Sequence, residues 1–305
     1  MRALPEFVAA GEALTDMIAD PLCQTWTSRT GGSTWNVARA MAALGVPSAF
    51  AGAVSRDVFG EQLREASAAS GLDMRFLQQH ARSPLLAMVY RIDPPSYFFV
   101  GDDSADLHFD AALLPAGWHQ HCKWVHFGGI SLAREPLAGK LLALAAKLKE
   151  HGIRISYDPN FRALMDQRYD ATLRRMTALA DVIKVSEEDL EGLFRTGDVA
   201  GAFATLRSWN PRAAFLYTKG AGGASLYTAE GEWHAGAPAI TVVDSVGAGD
   251  ASIAALAFSM LREPGREPRE HLAFSVAAGA AACLAPGASP PPLELIAPLV
   301  WLCHR

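Results

Sequence analysis

Between Trp124 and Thr218 the chain alternates short apolar runs with longer runs of helical period. Trp124 to Ile130, Ile153 to Tyr157, Val182 to Val185 and Ala214 to Thr218 read as strands. Glu135 to His151, Asp170 to Leu179, Glu187 to Phe194 and Val199 to Trp209 read as helices. Strands separated by helices must cross over, so they pair in parallel and are covered on both faces. The predicted class is therefore α/β: a mostly parallel central sheet flanked by helices. Glu6 to Ala10 and Ser48 to Val54 add two strands, and helices ending near Leu44 and Ser70 are stopped by Gly45 and Gly71. A polar loop is expected up to Arg29. From Ser83 to Phe109 the pattern changes: Leu86–Tyr90 and Tyr97–Val100 flank Asp93-Pro94-Pro95-Ser96, which reads as a hairpin laid over the sheet, a lid. Pro290-Pro291-Pro292 reads as the exit from the last helix.

Composition removes several function classes. The formal net charge is -5 with no run of Lys or Arg, which argues against nucleic acid and anionic membranes as partners. The longest mainly apolar run, Leu272 to Pro286, is too short to span a bilayer. No charged and then apolar leader is visible, and Cys23, Cys122, Cys283 and Cys303 lack metal or disulfide spacing, so a reduced cytoplasmic location is expected. The cluster His119, His121, Cys122, His126 has spacing that suits neither a helix pair nor a zinc finger, and reads as a surface approach to a strand.

In open parallel sheets ligands lie beyond the carboxyl ends of the strands. The polar groups there are Asp16, Asp158 to Arg162, Ser186 to Asp189, Thr218-Lys219-Gly220 and Asp250. The last ends the stretch from Thr241 to Asp250. There an apolar β-branched run turns through Gly247-Ala248-Gly249 into a helix over Ala251 to Leu261. Such a turn aims backbone N–H groups and the positive helix end outward, an anion cradle. Asp250 at its mouth is either an N-cap or a base for a hydroxyl that attacks phosphate. The dinucleotide fingerprint fails at Ser252, and no Gly-Lys-Ser/Thr occurs.

The other candidates have two readings each. Gly31-Gly32 is an ordinary helix-start turn or a close approach to a small ligand, with Asn36 either solvated or facing it. Glu187, Glu188 and Asp189 oppose the dipole of their helix or hold hydrated Mg²⁺. Thr218 to Gly223 is a flexible turn or a grip on nucleotide phosphate. Arg162 pairs with Asp158 or reaches a phosphate or sugar hydroxyl.

Together these motifs resemble the PfkB-type carbohydrate kinases, the ribokinase family, and look most like its bacterial fructokinases. Gly31-Gly32-x-x-x-Asn36 matches the first family signature and Asp244-x-x-Gly247-Ala248-Gly249-Asp250 the second; the likeness extends from Phe7 to about Pro290. It also takes in Gly11-Glu12-x-x-x-Asp16, Ser96 to Val100 with Ser104-Ala105-Asp106, Asp158-Pro159-Asn160-x-Arg162 and Lys184 to Asp189. The resemblance implies one ribokinase-like domain over 1–305, with lid segments near 13–30 and 84–109. It implies transfer of the γ-phosphoryl of ATP to a sugar hydroxyl, with Mg²⁺ and a K⁺ ion as cofactors. Asp250 would be the base and Gly247, Ala248 and Gly249 the anion hole. Asp16, Gly31, Gly32, Asn36 and Arg162 would hold the sugar. Ser186, Thr218, Lys219, Gly220 and Gly223 would meet the nucleotide. Asp189 and Glu188 would support Mg²⁺ through water, and backbone near Asp244 with the loop 285–289 would take K⁺. Ser186 and Asp189 depart from the usual Asn and Glu, and Gly101-Asp102-Asp103 stands where relatives place a substrate-reading Arg, which opens the alternatives of ribose, a 2-keto-3-deoxy sugar acid or a nucleoside. A non-catalytic sugar- or nucleotide-binding regulator is the rival from another class. The exposed lid strands suggest a homodimer.

Overall fold

The computed structural model describes residues 3–91 and 96–303. The first half of the chain runs β1 (Phe7–Ala10), β2 (Leu14–Ala19), β3 (Trp26–Gly31), α1 (Ser33–Ala43), β4 (Ser48–Ser55), α2 (Val58–Ala69), β5 (Leu77–His80), β6 (Leu86–Arg91) and β7 (Ser96–Val100). The second half runs β8 (Trp124–Gly128), α3 (Leu137–Glu150), β9 (Arg154–Asp158), α4 (Asp170–Leu179), β10 (Val182–Ser186), α5 (Glu187–Phe194), α6 (Val199–Trp209) and β11 (Ala214–Thr218). It ends with β12 (Ala224–Tyr227), β13 (Glu232–Ala235), α7 (Ala248–Arg262), α8 (Pro268–Ala282) and α9 (Leu293–Val300).

Nine strands form the main sheet in the order β13-β12-β11-β10-β9-β8-β1-β4-β5. Pairing is parallel from β5 through to β11, and antiparallel only for β11 with β12 and β12 with β13. Side chains alternate between two cores, as the pleat requires. Val8, Val125 and Phe127 face the core under α3 to α6, whereas Phe7, Ala9 and Trp124 face the one under α1, α2 and α7 to α9. The chain leaves β1 toward β4 on one side and later adds β8 to β13 on the other. That reversal opens a crevice at the carboxyl ends of β1 and β8.

The lid is a separate sheet in the order β3-β2-β6-β7. The polar stretch read as a loop up to Arg29 is in fact a lid hairpin, with Asp16 opposite Arg29. Its polarity hid it, because most of β3 faces solvent. The turn residues Asp93, Pro94 and Pro95 lie outside the described residues.

Three further expectations are corrected. Thr241-Val242-Val243 is not a strand. The hairpin β12–β13 already closes that side of the sheet, so Val242 and Val243 stay 58% and 60% exposed and the segment crosses to the cleft, held by the Val243 N–H on the Cys283 carbonyl at 2.9 Å. Pro290 to Pro292 does not end the helices but leads into α9, whose Ile296 is buried in the core. The strands β5, β12 and β13, each of four residues, were not read from the sequence.

Candidate active site

The second glycine motif forms the start of α7. Gly247 caps the helix at φ 82°, in the left-handed region, and a Cβ there would meet the Ala288 Cα at 2.9 Å. Only glycine satisfies both demands. The helix begins at Ala248 rather than Ala251, so Asp250 sits in its first turn. The Ala248 N–H donates to the Ser245 carbonyl at 3.2 Å, so the turn is partly closed on itself.

Asp250 is 8% exposed, and each of its oxygens accepts one side-chain bond from α1. Ser33 Oγ donates to Oδ1 at 2.7 Å and Asn36 Nδ2 to Oδ2 at 2.9 Å. Residues three apart share a helix face, which is why Ser33 and Asn36 reach one carboxylate together. Asn36 is thus buried and not solvated, and its Oδ1 has no partner among the described residues. A buried acceptor without a donor marks a place for a ligand hydroxyl. Burial raises the Asp250 pKa; Ser33, Asn36, Lys184 and Arg162 oppose it. Helix position alone does not keep this carboxyl acidic.

Asp16 comes in from β2. Gly31, paired with Leu14 and diagonal to Asp16, leaves its carboxylate room, since a side chain there would run into it. Burial pushes the Asp16 pKa up to about 6, with Arg162 pulling the other way. Arg162 itself is aimed by Asn160, which adopts φ 47°, takes an N–H turn to Asp158 Oδ1 at 3.0 Å and accepts from the guanidinium at 2.7 Å. Asn tolerates that left-handed conformation better than most residues. The guanidinium lies 5.8 Å from the centre of the Tyr97 ring, a lid residue whose phenol is raised by burial and further by Glu188 and Asp16. Asp16, Asn36, Arg162, Tyr97 and Asp250 therefore converge between lid and sheet.

Beneath them lies a buried ionic floor. Asp158 does not pair with Arg162; its partner is Lys184, Nζ to Oδ2 3.2 Å. The lysine's hydrogen bond goes to Oδ1 at 3.4 Å, and Oδ2 is without a donor among the described residues. Burial raises Asp158 to about 7 despite the lysine. Asp189 is 4% exposed and fully engaged. It accepts from the Phe161 N–H, the Ser186 N–H and Ser186 Oγ, each at 2.8 Å, and closes a capping box on α5. Its Oδ1 accepts one of these bonds and its Oδ2 two, and the side chain is buried; Glu188, next to it, is exposed on the Tyr97 side. Ser186 is engaged in the same box.

On the β11 side, Thr218 ends the strand, and Gly220 and Gly223 hold φ 53° and 84°. A side chain at Gly223 would strike the backbone of Ala235 and Gly236. Lys219 is turned back onto Ser225 Oγ at 3.0 Å and over the Tyr217 ring, away from a free phosphate grip. Asp244 ties the α7 approach to the loop 285–289. Its oxygens accept from the Val246 N–H at 3.0 Å and the Gly287 N–H at 2.8 Å.

The family model described as pfkB family carbohydrate kinase matches residues 5–295. The chain belongs to this family. It is a phosphotransferase acting on sugar hydroxyls. This carbohydrate kinase is 32% identical over 250 residues to the fructokinase of Rhizobium leguminosarum bv. trifolii, covering 80% of this chain and 76% of the relative. Among solved structures, the fructokinase of Xylella fastidiosa with bound ATP superposes with a TM-score of 0.88 at 27% identity, over 99% of this chain and 100% of that one. The aminoimidazole riboside kinase of Salmonella enterica, complexed with aminoimidazole riboside and an ATP analogue, gives 0.83 at 28%, over 96% and 99%. The ribokinase-like fold and its lid are thereby shared with these kinases.

The sequence missed four participants. Ser33 was visible as the residue three before Asn36. Lys184, a lysine inside an apolar strand, was the clearest overlooked signal, since lysine is almost never fully buried without a partner. Glu12 and Tyr97 stood inside family-like stretches, but no role was read for either.

Proposed function

We propose that this kinase transfers the γ-phosphoryl of ATP to a hydroxyl of a small polyol, a ketohexose such as fructose first, with Asp250 accepting the hydroxyl proton. The observation that carries the reading is a buried carboxylate in the first turn of α7, oriented by Ser33 and Asn36. It stands beside Asn36 Oδ1, which has no partner among the described residues, and below Asp16 and Arg162. Transfer through a loose transition state requires alignment and charge neutralisation more than covalent help. Asp16, Asn36 and Arg162 hold the sugar, with Gly31 and Gly32 giving it room. The N–H groups of Gly249 and Asp250 extend the cradle begun by Gly247 and Ala248. Thr218, Gly220 and Gly223 receive the nucleotide, with Ser186 at the same edge.

The donor set fits Mg²⁺ held through water by Glu188, not by Asp189, whose oxygens are taken. Mg²⁺ supplies charge neutralisation at the β- and γ-phosphates. Backbone carbonyls between Asp244 and the loop 285–289 suit K⁺. We place the enzyme in the cytoplasm, where its cysteines, free in the structure, stay reduced; no described helix is long and apolar enough to cross a membrane. The lid strands β3 and β7 are sheet edges and fit a homodimer.

A riboside is the second candidate substrate, favoured by the likeness to the Salmonella enterica enzyme and by Gly101-Asp102-Asp103. ADP release measured across hexoses, pentoses, sugar acids and nucleosides separates them. Asp250→Asn should lower kcat at least about 100-fold, the usual worth of a general base, while fructose and ATP still bind. Near-normal turnover in that variant refutes the assignment of the base.

A further inference from the structure

We propose that Lys184 is a positioning residue for phosphoryl transfer: its buried ammonium lies under the first turn of α7 and keeps Asp250 ready to receive a proton. This rests on reading Asp250 as the base.

Lys184 belongs to β10, and its side chain is 8% exposed. Its Nζ is 3.2 Å from Asp158 and 3.5 Å from Asp189. A Cβ built on Gly249 would meet the same Nζ at 3.2 Å and Cε at 3.4 Å. The ammonium therefore touches the floor of the glycine turn, and Gly249 leaves it the space to do so. One cation stands there among three buried carboxylates. Asp189 needs it least, because three N–H and O–H donors already satisfy that carboxylate. Asp158 and Asp250 share what remains. The groups facing Asp250 are Ser33 and Asn36 from α1, Arg162 beyond β9, Lys184 from β10 and the Asp158 carboxyl at the end of β9. Of these, Lys184 and Arg162 are cations, and Arg162 gives its Nη1 to the Asn160 side chain and the Asn160 and Phe161 carbonyls. A desolvated carboxylate without a neighbouring cation takes up a proton.

A purely structural role, balancing Asp158 and Asp189, makes a different prediction. Lys184→Gln tests it, since Asp158 can stay protonated beside the amide. Asp158→Asn/Lys184→Met is the second variant, in which no charge is left without its partner across that pair. Thermal unfolding establishes that each is folded, and kcat/KM is then followed from pH 5 to 9. The acid limb should move up by about one pH unit, with kcat falling more than KM rises. Lys184→Arg, which keeps the charge, should return the limb toward its wild-type position. A folded Lys184→Gln or double variant with an unmoved limb and unchanged kcat overturns the proposal. If Asp250→Asn is inactive while those variants keep the wild-type profile, the Lys184 role alone fails. If Asp250→Asn is active, the assignment of the base fails first.

Discussion

Asp189→Ala separates a structural carboxylate from a metal-binding one. The side chain accepts three bonds at 2.8 Å and an ion pair at 3.5 Å, all from buried or half-buried partners. A hydrogen bond to a charged group is worth roughly 1.5–3 kcal/mol net, but the three share one carboxylate and do not add. Removing one member of a buried ion pair costs about 3–5 kcal/mol, and that range is the expected loss of stability. Urea unfolding followed by tryptophan fluorescence reads it. The Phe161 N–H, one residue before Arg162, loses its acceptor, so KM for the sugar should also rise. The Mg²⁺ dependence of kcat should not change. Burial pushes the Asp189 pKa up, yet Lys184 and the Phe161 and Ser186 donors outweigh it and the net shift is down. A depressed folded pKa stabilises above the unfolded value, about 3.9, and that contribution disappears as pH falls through the folded one. The variant should therefore lose less stability than wild type on acidification. A cost below about 1 kcal/mol, together with a raised Mg²⁺ requirement, would refute this account and return Asp189 to the metal.

Gly247→Ala forces a side chain onto the Ala288 backbone at positive φ, so it should cost about 1–3 kcal/mol and lower kcat, read by thermal unfolding and ADP release. Glu12 is pushed from 4.5 to about 7, chiefly by burial, against its bonds to Ser131. A raised carboxyl pKa makes the native state bind the extra proton, so stability falls as pH rises from about 4.5 to 7; the shift is worth about 3 kcal/mol, and Glu12→Gln should flatten melting temperature over that window. Ser33→Ala removes a donor that lowers the Asp250 pKa, so kcat/KM should drop more at pH 6 than at pH 8.

The layered sheet was readable because buried parallel strands and their helices have distinct periods, and α4, α5, α6 and β11 have the bounds that their sequence patterns predict. The lid hairpin β2–β3 was not readable from its pattern, and only the family resemblance pointed to a lid segment near 13–30, because a sheet with one wet face and polar side chains imitates a loop. Thr241 to Val243 erred the other way: β-branched residues favour strands only where an edge awaits them. Within the site, Asp250, Asn36, Asp16 and Arg162 lie together; three of them were named from their place at strand ends, and Asn36 joined them through the family resemblance. Side-chain partnership was not legible. Whether Asp158 turns to Arg162 or Lys184, and whether Asp189 faces a metal or its own helix, depends on contacts between strands that are remote in sequence.

Only Gly32 separates the lid strand β3 from the helix that carries Ser33 and Asn36. The cover and the residues that hold the Asp250 carboxylate are thus neighbouring peptide units. On the proposed reading, a swing of the cover would be geared to the orientation of that carboxylate, so that clamping down on a polyol and arming its base would be one movement rather than two.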